Sequence, residues 1–439
     1  MSSYVTRKTP GDTEWFTASR FGMFIHWGLY SMPARHEWIK SRERITEEKY
    51  DKYFKYFDPD MYDAREWAKR AKAAGMKYAV LTTKHHEGFC MFDSAYTDYK
   101  CTNTPAGRDL VREYVDAFRA EGLRIGFYYS LIDWHHPSFP IDAIHPRRDD
   151  PDAREQSEGR DMHVYAEYMR NQVRELMTNY GKIDILWFDF SYGDPTEGKY
   201  ANGWMKGKGK DDWEAEELIK MVRELQPGII IDNRTQIEQD LWTPEQYQPL
   251  EWVRHKETGE LVTWEACQTF SGSWGYYRDE MTWKSPEMLI RMLVNTVALG
   301  GNLLMNVGPT SRGYMDERAV KALEVYEKWM KYNSRSIYNC TMAEPEFKAP
   351  QDCRLTQSVD GKRLYVHLFA YPYAHLQLKG FAGKVDYAQF LHDGSELLFT
   401  EGKVNHFSEG AAKSDDLLVI ELPAIKPDVT VPVIELFLK

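Results

Sequence analysis

A repeated alternation of short apolar runs and amphipathic stretches constrains the fold more than any other feature of this sequence, and it extends to about Lys331. In residues 61–74, for example, Trp67 and Ala71 recur at helical spacing and Gly75 supplies a stop signal before the next strand-like run. Repeated pairs of this kind are typical of βα units around a parallel sheet. Further helices are predicted near 160–179, 214–225, 285–299 and 316–332.

Polar or ionisable side chains stand where the apolar strand-like runs end. In a (β/α)8 barrel the reactive groups lie on the carboxyl ends of the strands and in the loops that follow. The residues at these predicted strand ends are His26, His85, His86, Tyr129, Asp189, Arg234 and Asn306. Two longer charged loops, 139–160 and 190–213, are predicted to lie over the barrel mouth.

The sequence pattern changes after about Ser334. Segments such as RLYVHLFA and LLVIELP alternate apolar and polar residues and are separated by Gly, Pro and Asp-Gly, which is typical of antiparallel strands. We therefore predict an α/β chain: a (β/α)8-like TIM barrel in residues 1–335, followed by a C-terminal antiparallel β-sandwich in residues 336–439.

Composition argues against several classes of partner. The 56 basic and 67 acidic residues give a net charge of -11 without any basic run, so no nucleic-acid partner is expected. The N-terminus has no apolar signal-like region and no stretch approaches the ~18 apolar residues that span a bilayer, so a cytoplasmic protein without a membrane partner is expected. The 5 cysteines lack any CxxC spacing and are predicted to be free thiols. The sequence leaves the oligomeric state open, a homo-oligomer included.

Asp189 ends the apolar run IDILWFDF, directly after Trp187 and Phe188. A carboxylate there is costly to desolvate unless it is hydrogen-bonded or used in chemistry, although an Asp can also simply cap the next turn. One reaction that would use a carboxylate in this position is glycoside cleavage, which requires a second carboxyl group. Glu245 in the Pro-containing loop DLWTPEQY is one candidate, and Glu251 and Glu265 are its rivals.

The segment TTKHHEG raises the question of a metal site, because histidine is the commonest metal ligand. Adjacent residues of a strand point to opposite faces, and no HExxH or second ligand cluster accompanies His85 and His86. We therefore predict no metal and no cofactor, and assign these histidines to hydrogen bonding with substrate hydroxyls. A metal-dependent hydrolase that uses His85, His86 and Glu87 is kept as an alternative.

Several motifs in this order resemble the α-L-fucosidase family, glycoside hydrolase family 29. They are FGMFIHWG, EW at 37–38, GMKYAVLTTKHHEGF, GFYYSLIDW, LWFDF, DNR, TPEQ and GGNLLMNVGP, and the resemblance extends from about Phe16 to Met330. It implies an irregular (β/α)8-like barrel with a C-terminal β-sandwich. It also implies a retaining exo-glycosidase that removes terminal α-L-fucose from glycans or oligosaccharides by double displacement, without a metal.

The resemblance assigns roles to individual residues. Asp189 would be the nucleophile and Glu245 the acid/base, while Phe24 and Trp274 would receive the C6 methyl group. The TPEQ form is similar to the broad-specificity branch, which accepts simple aryl fucosides. The implied fucose-binding residues are His26, Glu37, Trp38, His85, His86, Tyr129, Trp187 and Arg234. A fucose-binding protein without turnover is the other alternative.

Overall fold

A computed structural model describes residues 2–192, 202–402 and 415–439 of the chain. The barrel region contains helices α1 (Glu14–Ser19), α2 (Ile39–Arg42), α3 (Glu47–Tyr56), α4 (Ala64–Ala73), α5 (Leu110–Ala120), α6 (Ala153–Ser157), α7 (Met162–Asn179), α8 (Ala215–Leu225), α9 (Pro286–Ala298) and α10 (Glu317–Asn333). Its strands are β1 (Phe21–Ile25), β2 (Tyr78–Lys84), β3 (Arg124–Ser130), β4 (Ile185–Asp189), β5 (Ile230–Ile231), β6 (Glu265–Thr269) and β7 (Asn302–Val307).

These strands form one curled parallel sheet in the order β5-β4-β3-β2-β1-β7-β6. The opening between β5 and β6 is spanned by residues 241–245, which we call the closing segment. It makes isolated parallel bridges on both sides: Leu241 pairs with Asp232 just after β5, and Glu245 pairs with Cys267 of β6. An irregular segment therefore takes the place of the eighth strand.

The inside of this barrel is filled by one hydrophobic cluster of side chains from the strands and the closing segment. Its members include Phe24, Val80, Tyr128, Trp187, Ile230, Leu241, Cys267 and Leu304. Because side chains alternate across a parallel strand, the other face of each strand packs against the surrounding helices. The barrel is a packed core with room for a ligand only at its end.

The C-terminal region, residues 336–439, consists of two antiparallel sheets. Their strands are β8 (Cys340–Met342), β9 (Cys353–Ser358), β10 (Arg363–Leu368), β11 (His375–Lys379), β12 (Val385–Phe390), β13 (Phe399–Glu401), β14 (Leu417–Glu421) and β15 (Val433–Leu438). The sheet orders are β12-β15-β10-β9-β8 and β11-β14-β13. Leu364, Leu378, Leu418 and Ile434 share one buried core between them. The predicted α/β barrel followed by a β-sandwich is confirmed.

Two local predictions need comment. The helix expected over 61–74 begins at Ala64, because the Asp63 carboxylate accepts hydrogen bonds from the backbone N–H groups of Arg65 and Glu66 and caps it there. Of the loop predicted over 190–213, residues 193–201 lie outside the described residues.

Within the described residues, no helix combines the length and apolar character that a membrane crossing requires. All five cysteines are free and buried, as predicted.

Candidate active site

The carboxyl ends of the barrel strands surround a pocket with a volume of about 110 Å³. Its lining contains every residue that the sequence singled out for the site except Tyr129. The lining residues are Phe24, His26, Glu37, Trp38, His85, His86, Tyr128, Trp187, Asp189, Phe190, Arg234, Glu245, Cys267 and Trp274. Residues far apart in the sequence therefore meet at the predicted end of the barrel.

Tyr129 does not reach the pocket, and Tyr128 takes its place. The Tyr129 hydroxyl donates to Gln172 Oε1 of α7 at 2.8 Å, behind the strand, whereas the Tyr128 hydroxyl donates to Asp189 Oδ2 at 2.7 Å. In the parallel register Tyr128 pairs with Trp187 and Tyr129 with Phe188. Since paired residues share a face, the assignment of Tyr129 as a substrate-binding residue is corrected to Tyr128.

Asp189 is the last residue of β4 and has only 9% of its surface exposed. Besides the bond from Tyr128, its Oδ1 atom accepts a hydrogen bond from Arg234 Nη1 at 2.9 Å. His86 Nε2 lies 3.8 Å from Oδ2. Both oxygens of this buried carboxylate thus have a donor, a guanidinium on one side and a hydroxyl on the other, which fixes its orientation in the pocket.

Arg234 joins the two carboxylates that the sequence predicted. Its Nη2 atom lies 2.7 Å from Glu245 Oε2, while its Nη1 atom contacts Asp189. The guanidinium also lies over the Trp187 ring, 4.4 Å from its centre. The Glu245 side chain is 41% exposed, against 12% for Asp189, so one carboxylate faces the solvent side of the pocket and the other its floor.

The two rival glutamates are not in the pocket. Glu251 is exposed and does not line it. Glu265 is fully buried in the barrel interior, where its carboxyl group accepts a hydrogen bond from the Tyr78 hydroxyl. Burial raises the pKa of Glu265 to about 8, so it is a neutral acid at neutral pH.

Asn306 of β7 positions one wall of the pocket. Its Oδ1 atom lies 2.7 Å from His26 Nδ1, and its Nδ2 atom donates to the backbone oxygen of Trp274 at 2.6 Å. Phe24 packs against both rings, with centroid distances of 4.5 Å to His26 and 5.9 Å to Trp274. The Asn306 amide thus holds the His26 ring and the Trp274 backbone next to each other.

Glu37, Trp38 and the paired histidines line the part of the pocket next to this wall. Glu37 Oε2 accepts a hydrogen bond from Gly275 N at 2.9 Å. A Cβ atom on Gly275 would lie 2.9 Å from the Tyr30 ring and 3.1 Å from the Glu37 backbone nitrogen, so a larger residue would have to displace Tyr30. His86 Nδ1 lies 2.7 Å from Ser130 Oγ, and the Trp38 ring packs edge-on against His86.

Burial sets the charge of these rings. It lowers the pKa of His26 and of His86 well below the ordinary histidine value, and the neighbouring His85 lowers both further. Both are therefore neutral at neutral pH. Burial, followed by the Asp189 carboxylate, raises the pKa of Tyr128 well above the ordinary value, so its hydroxyl remains a donor. The pocket offers neutral donors and acceptors suited to hydroxyl groups.

Phe190 and Cys267 complete the lining and were not predicted. The Phe190 backbone has a φ of 107°, an unfavourable conformation for a bulky residue, and its ring packs against Trp38 and His86. The sequence does not reveal this backbone conformation at Phe190. Cys267 faces inward on β6, a strand that the sequence did not resolve as part of a βα unit.

The described residues contain no group of three or more His, Cys, Asp or Glu side chains arranged to hold a metal ion. His85 and His86 instead contact neighbouring side chains. His85 Nδ1 lies 3.5 Å from Glu87 Oε2, and the His85 ring stacks on Tyr128. The two histidines therefore lie in one wall of the pocket and contact neighbouring side chains.

A wider groove of about 730 Å³ opens from the mouth of the pocket. Phe190, Arg234 and Glu245 line both the pocket and the groove. The groove also contains residues of the closing segment and of the loop after it. Glu245 thus stands at the boundary between a closed cavity and an open channel.

Comparison with known proteins agrees with this geometry. The family model for α-L-fucosidase matches residues 2–335. The plasma α-L-fucosidase of Homo sapiens is 31% identical over 361 residues, which cover 74% of this chain and 68% of that protein.

Solved structures extend the similarity to the C-terminal region. The α-L-fucosidase isoenzyme 1 from Paenibacillus thiaminolyticus has a TM-score of 0.88 and 46% identity, covering 97% of this chain and 98% of that one. A Bacteroides thetaiotaomicron α-L-fucosidase of family 29, trapped as a covalent intermediate with 2-fluoro-fucosyl fluoride, has a TM-score of 0.79 and 27% identity, covering 99% and 98%. With the family model covering most of the barrel and the pocket assembled at its open end, the chain belongs to the α-L-fucosidase family, glycoside hydrolase family 29.

Proposed function

We propose that the protein is a retaining exo-α-L-fucosidase in which Asp189 is the nucleophile and Glu245 the acid/base. The observation that carries this proposal is the single guanidinium of Arg234, which contacts Asp189 inside the pocket and Glu245 at its mouth. The pocket shares Phe190, Arg234 and Glu245 with the groove and therefore continues into it. A terminal sugar fits this shape, with its glycosidic oxygen directed toward Glu245.

In the first step Asp189 Oδ attacks the anomeric carbon and forms a covalent ester with the sugar. The bond from that carbon to the leaving oxygen breaks, and its electron pair takes the proton of Glu245. A general acid must carry this proton. The ion pair of Glu245 with Arg234 therefore opens before this step, so that the carboxyl group can turn toward the leaving oxygen.

In the second step Glu245, now a carboxylate, removes a proton from water. The resulting nucleophile attacks the anomeric carbon from the face that the aglycone has left, and Asp189 departs as a carboxylate. Two inversions give net retention. Arg234 and the Tyr128 hydroxyl stabilise the charge that returns to Asp189.

The remaining pocket residues recognise the sugar. The neutral rings of His26 and His86 and the Glu37 carboxylate match its hydroxyl groups, whereas Phe24 and Trp274 present an apolar face for the C6 methyl. The retaining route is supported by the Bacteroides relative, which was trapped as a covalent intermediate with a fucosyl fluoride.

The nucleophile is tested with Asp189→Gly. We expect hydrolysis of 4-nitrophenyl α-L-fucoside to fall by about 10³-fold or more, because no covalent intermediate can form. Azide should enter the vacated space and attack from the β face, giving β-fucosyl azide. Activity within a few-fold of the unmodified protein would contradict the role of Asp189.

The acid/base is tested with Glu245→Ala, and Glu251→Ala is the matched control in the same loop. Glu245→Ala should retain cleavage of nitrophenyl fucosides far better than cleavage of sugar aglycones, since a good leaving group needs no proton. Azide should now intercept the glycosyl-enzyme and give the α-fucosyl azide. Equal losses in both variants, or a β product, would contradict the assignment.

The metal-dependent alternative predicts a different response. If His85, His86 and Glu87 held a catalytic ion, prolonged dialysis against a strong chelator would abolish turnover. We expect kcat and KM for the aryl fucoside to stay unchanged after this treatment. Restoration of a lost activity by added Zn²⁺ or Mn²⁺ would favour the metal mechanism.

A further inference from the structure

The groove outside the pocket receives the leaving group if the proposed function is correct, on which this inference rests. Glu245 lines both cavities, so the oxygen that it protonates must be attached to whatever occupies the groove. The groove is also the larger space, about 730 Å³ against about 110 Å³. Its lining should therefore determine which aglycones are accepted.

Two basic residues line this groove from residues 253–262, which we call the rim turn. Val262 N donates to Val253 O, and His255 N donates to Glu260 O, so the two arms of the turn are paired. Arg254 and Lys256 are exposed, whereas His255 between them is buried with its Nε2 atom 2.8 Å from Glu238 Oε2. The rim turn thus places Arg254 and Lys256 on its groove side, while His255 on its other side is held by Glu238.

The acidic residues near the rim turn do not neutralise these cations. Glu238 is paired with Arg7 and His255, and Glu260 lies near Arg7 at 3.8 Å. Glu251 and Glu257 do not line the groove. Among the described residues, neither Arg254 nor Lys256 forms an ion pair, and Glu245, already engaged with Arg234, is the only acidic residue in the lining.

Aromatic and amide groups accompany the two cations. Tyr247 is 58% exposed at the groove, and Trp242 of the closing segment is half-buried with its ring against His255. Asn233 and Gln236 supply amides. Flat rings with polar edges stack on sugars and amides bind hydroxyl groups, so the neutral part of the lining already fits a glycan.

We propose that this groove selects aglycones that carry a negative charge, a carboxylate or a sulfate ester, through Arg254 and Lys256. The protein as a whole carries a net charge of -11, which repels anionic glycans. Arg254 and Lys256, which form no ion pair with the residues that the structure describes, counteract that repulsion where the leaving group must lie. Exposed pairs contribute modestly, so the expected selectivity is about 3- to 10-fold.

The test uses three fucose-mimicking iminosugars whose linker, attached where the aglycone would be, ends in a carboxylate, a sulfate ester or a neutral methylamide. We expect both anionic probes to have inhibition constants about 3- to 10-fold lower than the amide, with the difference shrinking in about 0.5 M NaCl. A greater gain for the carboxylate indicates sialyl or uronyl aglycones, and a greater gain for the sulfate indicates sulfated ones.

The double variant Arg254→Ala with Lys256→Ala should make the three inhibition constants equal while the methylamide probe binds as before. Lys69→Ala with Lys379→Ala removes the same charge from exposed positions outside the groove and should keep the selectivity. Equal binding of all probes to the unmodified protein, or selectivity that survives the first double variant, would overturn the proposal.

Failure of the proposed function would look different. In that case the unmodified protein would not cleave 4-nitrophenyl α-L-fucoside, and the neutral probe would not bind. If cleavage is normal and only the charge preference is missing, the inference about the groove falls and the proposed function stands.

Discussion

Chemical type and position at a strand end pointed to residues such as Asp189 and Arg234, whereas the roles of Glu37 and Trp38 came from the family resemblance. The pocket contains all of the predicted site residues except Tyr129. Asp189 and Trp187 lie two apart, so both face the pocket. The choice between Tyr128 and Tyr129 depended on how β3 pairs with β4. That register is fixed by tertiary packing, which the segment GFYYS does not reveal.

Tyr128→Phe tests the corrected residue. Loss of a hydrogen bond to a charged carboxylate is worth about 1.5–3 kcal/mol, so kcat/KM for an aryl fucoside should fall by about 10- to 100-fold. Tyr129→Phe is the matched control, because it removes only the bond to Gln172 and should leave kcat/KM within about 2-fold. The reverse order of effects would restore the original assignment of Tyr129.

Glu265 gives a prediction about pH. Burial raises its pKa from 4.5 to about 8, so between these values the folded state holds a proton that the unfolded chain has lost. The free energy of unfolding then falls as pH rises through this window, by about 1.4 kcal/mol per pH unit at most. Glu265→Gln does not titrate.

The melting temperature of Glu265→Gln, relative to the unmodified protein, should therefore increase steadily between about pH 5 and pH 8. Differential scanning calorimetry at several pH values measures this difference. A difference that does not change with pH would mean that Glu265 titrates in the folded protein as it does in the unfolded chain.

At the scale of elements, the long periodic helices were predicted well and the irregular parts were not. Helix α7 spans Met162–Asn179 against the predicted 160–179, since its apolar spacing is sustained over many turns. By contrast, β5 has only two residues, Ile230–Ile231, and the closing segment has no strand pattern at all. Tertiary pairing, rather than local propensity, holds that part of the barrel together.

The two loops predicted over the barrel mouth are linked by a buried ion pair. Lys208 Nζ lies 2.6 Å from Asp142 Oδ2, and both side chains are almost fully buried. Lys208→Met leaves Asp142 uncompensated and should lower the free energy of unfolding by about 3–5 kcal/mol.

Urea denaturation measures the decrease in the free energy of unfolding that Lys208→Met causes. The double variant Asp142→Leu with Lys208→Met should recover part of it, because no unpaired charge remains buried. If the single variant is as stable as the unmodified protein, the pair has no structural role.

At the scale of the molecule, the barrel and the C-terminal sheets share a hydrophobic core. Tyr365, Val431 and Val433 of the C-terminal region belong to the same buried cluster as the barrel, and the Trp329 indole N–H donates to Val431 O at 3.2 Å. The sequence predicted a barrel followed by antiparallel strands, but the alternating pattern of a strand does not show which surface its apolar face packs against.

A fragment of residues 1–335 should consequently be unstable. It exposes the apolar surface that Val431 and Val433 cover, and we expect it to aggregate or to melt well below the full chain. The full chain should show a single cooperative calorimetric transition. Two separate transitions, with a soluble and active fragment, would contradict the shared core.

The two carboxylates proposed to be catalytic lie in different backbone settings. Asp189 belongs to a hydrogen-bonded ladder with neighbours on both sides, where inserting one residue would turn every following side chain to the wrong face. Glu245 lies in the closing segment, which is hydrogen-bonded to residues 263–267 but contains Pro244 and forms no regular strand. Among relatives, we expect the position of the nucleophile in the fold to vary less than the position of the proton donor.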